Sequence, residues 1–542
     1  MIHQAKKRIS GSIAITIILY FNAWGTVLPP NDAIDVKHYN FQLELYDSTD
    51  VISGTATIQI LFKKDLTTFE LDLVNKDSKG AGMTVSDVTL NGKSLQFDHQ
   101  QDKLKITLPE ISHVGDLKRV VVSYKGIPRD GLIIGKNKFG DRTFFGDNWP
   151  ERARHWLPTI DHPSDKASVD FIVTAPTAYY VIGNGIKVEE SYVNARQKLT
   201  HWREEIDIPT KVMVIAAARF AIHLEGNVSG IPVESWVYPQ NRLDGFHDYA
   251  GAVNILEYFH NHIGPYPYNK LANVQAKIPF GGMENASNIF YFENSVNGKA
   301  DQQDLIAHEI AHQWFGNSAS ETDWHHVWLS EGFATYFSRL YAEFADGQRL
   351  MDSLLKVDRG HVIDFYKTTP QPIVYTELPK DLMKIPNANS YHKGSWVLHM
   401  LRNEIGDDAF WKGIRKYYRT YQYGNAQTSD FIKIMEETSG QDLNNFFKQW
   451  LFTAGHPVLD MIWKYDSKAK TLNLIINQTH SGPPFEFTLE LGIYTSSSIH
   501  PTIAKLKINK ETTNLSFPFG TKPTRIELDP NTNLLFDGKL RN

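Results

Sequence analysis

Leu305-Ile306-Ala307-His308-Glu309-Ile310-Ala311-His312, and beyond it Trp328-Leu329-Ser330-Glu331-Gly332-Phe333-Ala334-Thr335-Tyr336, are the two stretches that decide how this chain folds. Successive helical residues are turned by about 100°, so His308 and His312 project from one face, one turn apart. Two neutral imidazoles so placed can grip one Zn²⁺, with Glu309 beside the ion and free of ligation. A catalytic zinc takes three protein ligands and keeps a place for water. Glu331, separated from His312 by eighteen residues, fits the third place, on a stretch whose apolar spacing predicts a second helix packed on the first. Asp301, Gln302, Gln303 and Asp304 are expected to cap the first helix and load its first turn with acid. Leu305, Ile306, Ile310 and Ala311 supply its apolar stripe.

The chain has 542 residues, too many for one core, and is expected to form two to four domains. Hydrophobic content of 42% and charged content of 22% describe an ordinary globular protein. A net charge of −5 provides no basic footprint for nucleic acid. Lys6, Lys7 and Arg8 precede an apolar stretch, residues 9–21, and Ala23-Trp24-Gly25 offers small residues at the spacing of a cleavage site. Residues 1–25 therefore read as a signal peptide, and the mature protein is expected to be exported, periplasmic or secreted. An N-terminal membrane anchor is the alternative, although the run is shorter than the roughly 20 residues of a spanning helix, and no stable span is expected after cleavage. The absence of cysteine excludes disulfides. Nothing in the sequence speaks to oligomeric state.

Residues 26–237 read as β-rich. Segments 41–46, 54–61, 69–73 and 104–108 alternate or cluster β-branched residues, with turn signals such as Asn91-Gly92 between them. Tyr238-Pro239-Gln240-Asn241 marks a boundary. Residues 238–456 turn helical, with helical spacing over 243–262, 303–317, 330–346, 394–405 and 442–452. Residues 457–542 return to short strands, over 471–476, 487–494 and 502–508, which predict a small β-sandwich.

Gly281-Gly282-Met283-Glu284-Asn285 lies some two dozen residues before the predicted zinc helix. Paired glycines let a backbone run close to a neighbouring strand or a ligand. Gly-x-Met-Glu-Asn, then H-E-x-x-H, then Glu after eighteen residues resembles the pattern of the gluzincin aminopeptidases, the family of aminopeptidase N. The similarity extends to residues 149–166, to Tyr391-His392-Lys393-Gly394 and to residues 447–457. The resemblance implies a multidomain α+β protein: a β-rich N-terminal domain, a thermolysin-like α/β catalytic domain and a C-terminal β-sandwich. It implies a zinc-dependent hydrolase that removes the N-terminal residue of peptides, with one Zn²⁺ per chain. By position, His308, His312 and Glu331 match the zinc ligands and Glu309 the general base. Tyr391 matches the tyrosine that hydrogen-bonds the developing oxyanion. Glu284 resembles the glutamate that holds the substrate's free α-ammonium, and Gly281, Gly282 and Met283 the backbone along which the extended peptide lies.

The pattern departs from the family in two places. Upstream of the Ala-Arg motif the family often has a Gln and a second Glu, where this chain reads Gly146-Asp147-Asn148-Trp149-Pro150-Glu151; which residue completes the amine site stays open. The sequence also ends at Asn542, straight after the predicted sandwich, so the expected form lacks the large C-terminal helical domain of many relatives. Three other readings stand beside the aminopeptidase: a zinc endopeptidase, which would not need Glu284; an epoxide hydrolase, as in leukotriene hydrolase of the same family; and a catalytically dead scaffold, which would predict damage to the zinc motif.

Overall fold

The computed structural model describes residues 29–542, so the expected signal segment lies outside the described residues. The N-terminal part is built on an eight-stranded sheet. At its centre Ile34–Glu44 pairs antiparallel with Ile52–Phe62 and parallel with Lys166–Pro176. Ile52–Phe62 alternates buried and half-exposed residues along its whole length, as a strand with one face on a core must. At the Asn91-Gly92 turn both residues take positive φ, 52° and 75°, the conformation of a tight two-residue hairpin. It joins Gly82–Leu90 to Lys93–Ser94.

A five-stranded mixed sheet carries the site, in the order Ala221–Val228, Ile231–Val237, Leu271–Ala276, Asn288–Phe292, Gly282–Met283. It draws strands from both sides of Tyr238, where composition alone marks a boundary. The two-residue strand Gly282–Met283 pairs with Tyr291 and Phe290 and forms the sheet's edge. Helices α1 (Arg242–Tyr249), α2 (Ala252–His262), α3 (Gln303–Ala311), α4 (Trp328–Asp346), α5 (Gln348–Tyr366), α6 (Gly394–Ile405), α7 (Asp407–Tyr421), α8 (Thr428–Ser439) and α9 (Asn444–Leu451) complete this region. The single helix expected over 243–262 is two, and the predicted helix from residue 303 ends at Ala311 rather than 317.

Beyond α9 lie a four-stranded sheet, ordered Thr512–Pro518, Thr471–Gln478, Val458–Asp466, Asp537–Arg541, and a three-stranded one, Ser498–Ile508, Phe487–Thr495, Arg525–Leu528. Arg359 of α5 ties this part to the helices, donating to Asp529 at 2.6 Å and to the Leu534 carbonyl at 2.7 Å. On the other side Lys166 sinks its ammonium among the carbonyls of Asn317 (3.2 Å), Ser318 (2.8 Å) and Gly424 (2.7 Å). That contact anchors the β-rich part to the turn that follows α3.

Candidate active site

His308 and His312 project from α3 with their Nε2 atoms 3.1 Å apart. Glu331 Oε2, from the first turn of α4, lies 3.5 Å from His308 Nε2 and 3.2 Å from His312 Nε2. A carboxylate in a first turn is favoured by the helix dipole. His312 Nδ1 sits 3.1 Å from the Phe315 carbonyl oxygen and 3.1 Å from Ser330 Oγ. A carbonyl only accepts, so Nδ1 carries a proton, and Nε2 faces His308 and Glu331. Two imidazole nitrogens and a carboxylate oxygen this close form a group that could hold a metal ion.

Glycines bring the helices into register with the site. A Cβ on Gly316, whose φ is +117°, would stand 2.3 Å from Ser330 Oγ and 3.2 Å from His312 Nδ1. Gly332 of α4 faces Gly394 so closely that a Cβ on either would lie 2.9 Å from the other's Cα. This approach seats a π-helical turn, Asn389–Lys393, against α4. There Lys393 N–H donates to the Ala388 carbonyl, five residues back. Tyr391 emerges from that turn with its ring stacked on His308, centroids 5.7 Å apart.

Glu284 follows the edge strand and is buried, with its Oε1 lacking any hydrogen-bond partner. Its backbone carbonyl accepts from Gln313 Nε2 at 2.9 Å and from Asn317 Nδ2, both just beyond α3. Gln313 also accepts from the Ser287 N–H at 2.9 Å, so one side chain clamps the Glu284 loop to the zinc-motif helix. Glu309 lies directly over Gly282: a Cβ there would stand 2.3 Å from Glu309 Oε1. Gly281 meets only Leu305, at 3.6 Å. His308, Glu309, His312, Glu331, Glu284, Gly282 and Tyr391 thus lie in one cluster around the end of α3, with Gly281 against Leu305 nearer its start.

The electrostatics follow from three buried carboxylates converging on two imidazoles. Burial pushes Glu309 well above the usual carboxylate range; His312 pulls it back, and Glu284 and Glu331 push it further up. Burial likewise raises Glu284, against the pull of His312. At Glu331 burial is outweighed by His312 and His308, which hold it below the ordinary range. Burial alone would make His312 a weaker base, yet Glu284 and Glu331 raise it to about 10. Tyr391 is raised well above 10 by burial and by the same carboxylates, so it stays a donor.

Several supports were not legible in the sequence. Asp304 is the expected acid in the first turn of α3, but the N-cap residue Gln302 makes no side-chain cap, and Asp304 also pairs with Arg339 of α4. Arg339 also holds Asp358 of α5, at 2.9 Å and 3.1 Å, and so joins α3, α4 and α5. Lys211 and Glu321 form a fully buried pair beside Trp324. In the Gly146–Glu151 stretch, Asp147 pairs with Arg152 at 2.7 Å and Asn148 binds the Thr210 and Met213 carbonyls. Two residues of the stretch reach across to Trp324: Glu151 accepts from its Nε1 at 2.9 Å, and the Trp149 ring meets its ring edge-on, centroids 5.5 Å apart.

Sequence comparison places this geometry. Residues 248–450 match the Peptidase family M1 domain and residues 35–212 the Peptidase M1 N-terminal domain. The chain is 28% identical over 409 residues to glutamyl aminopeptidase of Homo sapiens, covering 71% of this chain and 42% of that protein. It is 26% identical over 398 residues to probable aminopeptidase 2 of Sulfurisphaera tokodaii (70% and 50%). It is 25% identical over 487 residues to aminopeptidase M1 of Arabidopsis thaliana (83% and 53%). It spans about half the length, or less, of these curated relatives. With α3, α4 and the edge strand all inside the first match and the large β-sheet inside the second, the chain belongs to peptidase family M1.

Proposed function

We propose that this chain is a zinc-dependent aminopeptidase that hydrolyses the N-terminal residue from peptides. The observation that carries the reading is the cluster itself: Glu284, Glu309 and Glu331, all buried, surround His308 and His312. Buried charges need compensation. One divalent cation at His308, His312 and Glu331, together with one substrate ammonium at Glu284, would balance the three carboxylates. The two facing Nε2 atoms, with Glu331 Oε2 beside both, also fit a cation. When bound there, zinc would polarise the scissile carbonyl and make a water acidic near neutral pH.

The chain's own residues divide the remaining work. Glu309, with its proton affinity raised by burial, takes a proton from the attacking water and passes it to the leaving amine. Tyr391 donates its phenolic hydrogen to the carbonyl oxygen as that oxygen gains negative charge. Glu284, whose Oε1 has no hydrogen-bond partner among the described residues, receives the α-ammonium and so sets cleavage after the first residue. The unpaired side of Gly282–Met283 offers backbone groups to an extended peptide, as an edge strand does. Export by residues 1–25 belongs to the same proposal and rests on the N-terminal sequence. Among the described residues no helix is long and apolar enough to cross a membrane.

The test compares aminoacyl fluorogenic peptides with their N-acetylated counterparts. Free-amine substrates should be cleaved with release of the first residue, and blocked ones should be cleaved at least about 10²-fold less efficiently, as expected for loss of a buried ion pair. Comparable cleavage of blocked peptides would make the protein an endopeptidase and remove Glu284 from its role.

A further inference from the structure

Beside Tyr391 in the chain, a second group of ligand-type side chains converges. Asp358 and His361 stand three residues apart on α5 and so share a face. His392 comes to them from the π-helical turn. One ligand atom from each of the three lies within 4.8 Å of the others. His392 Nδ1 is 2.9 Å from Asp358 Oδ1, and its Nε2 is 3.1 Å from His361 Nδ1. The Asp358 carboxylate places negative charge beside the His392 ring, whose Nδ1 has no hydrogen-bond partner among the described residues, while Nε2 faces the His361 ring. In the catalytic cluster, too, two imidazole nitrogens face each other, with His312 Nε2 3.1 Å from His308 Nε2. Tetrahedral zinc with Zn–N bonds of about 2.05 Å sets its nitrogen ligands roughly 3.3 Å apart, close to both spacings.

We infer that Asp358, His361 and His392 form a second site for a borderline divalent cation of the zinc class. The nitrogens of His361 and His392 are the ligands, and the Asp358 carboxylate supplies charge beside them. Arg339 donates to both oxygens of Asp358, but it is shared with Asp304, so two carboxylates face one guanidinium and the local balance favours a cation. His361 is exposed and opens the site to solvent. Two imidazoles and a partly neutralised carboxylate make a weaker, exchangeable site than the buried His308–His312–Glu331 cluster. A cation there would tie α5 to the turn that carries Tyr391.

The test is zinc binding to the full chain by equilibrium dialysis with elemental analysis, in wild type, His361→Ala and His113→Ala. His361 is exposed and lies outside the proposed catalytic machinery, so its alanine variant should fold and turn over as wild type. Wild type is expected to take up a second, exchangeable equivalent at micromolar zinc, and its Tm should rise as that equivalent binds. His361→Ala should keep the first equivalent and lose affinity for the second by at least about 10-fold, together with the Tm response. His113→Ala, at an exposed histidine elsewhere, should match wild type. No second equivalent in wild type up to about 100 µM zinc, or equal second-site affinity in wild type and His361→Ala, overturns the inference.

Discussion

Gly282→Ala isolates the position of the base from every other part of the site. The added methyl carbon would stand 2.3 Å from Glu309 Oε1 and 2.5 Å from its carboxyl carbon, whereas ordinary contact begins at 3.4 Å. About 1 Å must therefore be found. The edge strand is held by its pairing with Tyr291 and Phe290, while the atoms it meets are the free end of a side chain, so Glu309 moves and the fold does not. A misplacement of about 1 Å costs on the order of 10²-fold in rate, or ~2.7 kcal/mol of barrier. KM should barely change, because Glu284 and the backbone of the edge strand stay in place, and zinc content should be unaffected because Glu309 is not a ligand. Gly281→Ala is the control: its methyl meets only Leu305, at 3.6 Å, an ordinary contact, so kcat should stay within about threefold. The assay is kcat and KM on an aminoacyl fluorogenic substrate, with zinc content and thermal unfolding on the same samples. A Gly282→Ala enzyme with kcat within about threefold of wild type, or equal losses in the two variants, would refute the placement of Glu309.

Two further outcomes follow from the same geometry. Tyr391→Phe keeps the ring on His308 and deletes only the donor, so kcat should fall by about 10²–10³ (~2.7–4 kcal/mol) with KM and zinc content unchanged; a loss under about threefold would make Tyr391 a packing residue. Lys166 is lowered by burial, and by neighbouring Lys211, from the ordinary 10.5 to about 7. The folded state thus releases this proton first, and between those values the unfolded state binds more protons. Stability should rise with pH across that window, by up to ~1.4 kcal/mol per unit, and be flat below about 7. Urea titrations from pH 6 to 9 should show this rise in wild type and a shallower one in Lys166→Met; superimposable slopes would contradict it.

How much of this was legible depends on the range of the interaction. The His308–His312 pair and the helix bearing Glu331 could be read directly, because a helix turns i, i+4 spacing into geometry. The large N-terminal strands were legible where one face meets a core, as in Ile52–Phe62. Leu271–Ala276 was not: it is buried along its whole length, and its polar Asn273 and Gln275 bind backbone groups of neighbouring elements, so neither alternation nor an apolar run marks it. The Gly282–Met283 strand is too short to have a period, and its signal was the glycine pair alone. The turn behind Tyr391 depends on Gly332 and Gly394, 62 residues apart, meeting backbone to backbone, a close approach that sequence spacing cannot encode. The start of α3 was legible in part: Asp304 is the acid of its first turn as expected, but no side chain caps it at Gln302, and the pairing of Asp304 with Arg339 on another helix has no local signal.

The central claim, hydrolysis at a metal held by His308, His312 and Glu331 with Glu309 as base, is tested most directly by Glu309→Gln, with zinc per chain and turnover measured on one preparation. The account predicts wild-type zinc content, since no ligand is altered, and turnover reduced by about 10²–10⁴-fold. Near-normal turnover would give the base role to another group, and zinc lost along with activity would make Glu309 part of the metal shell.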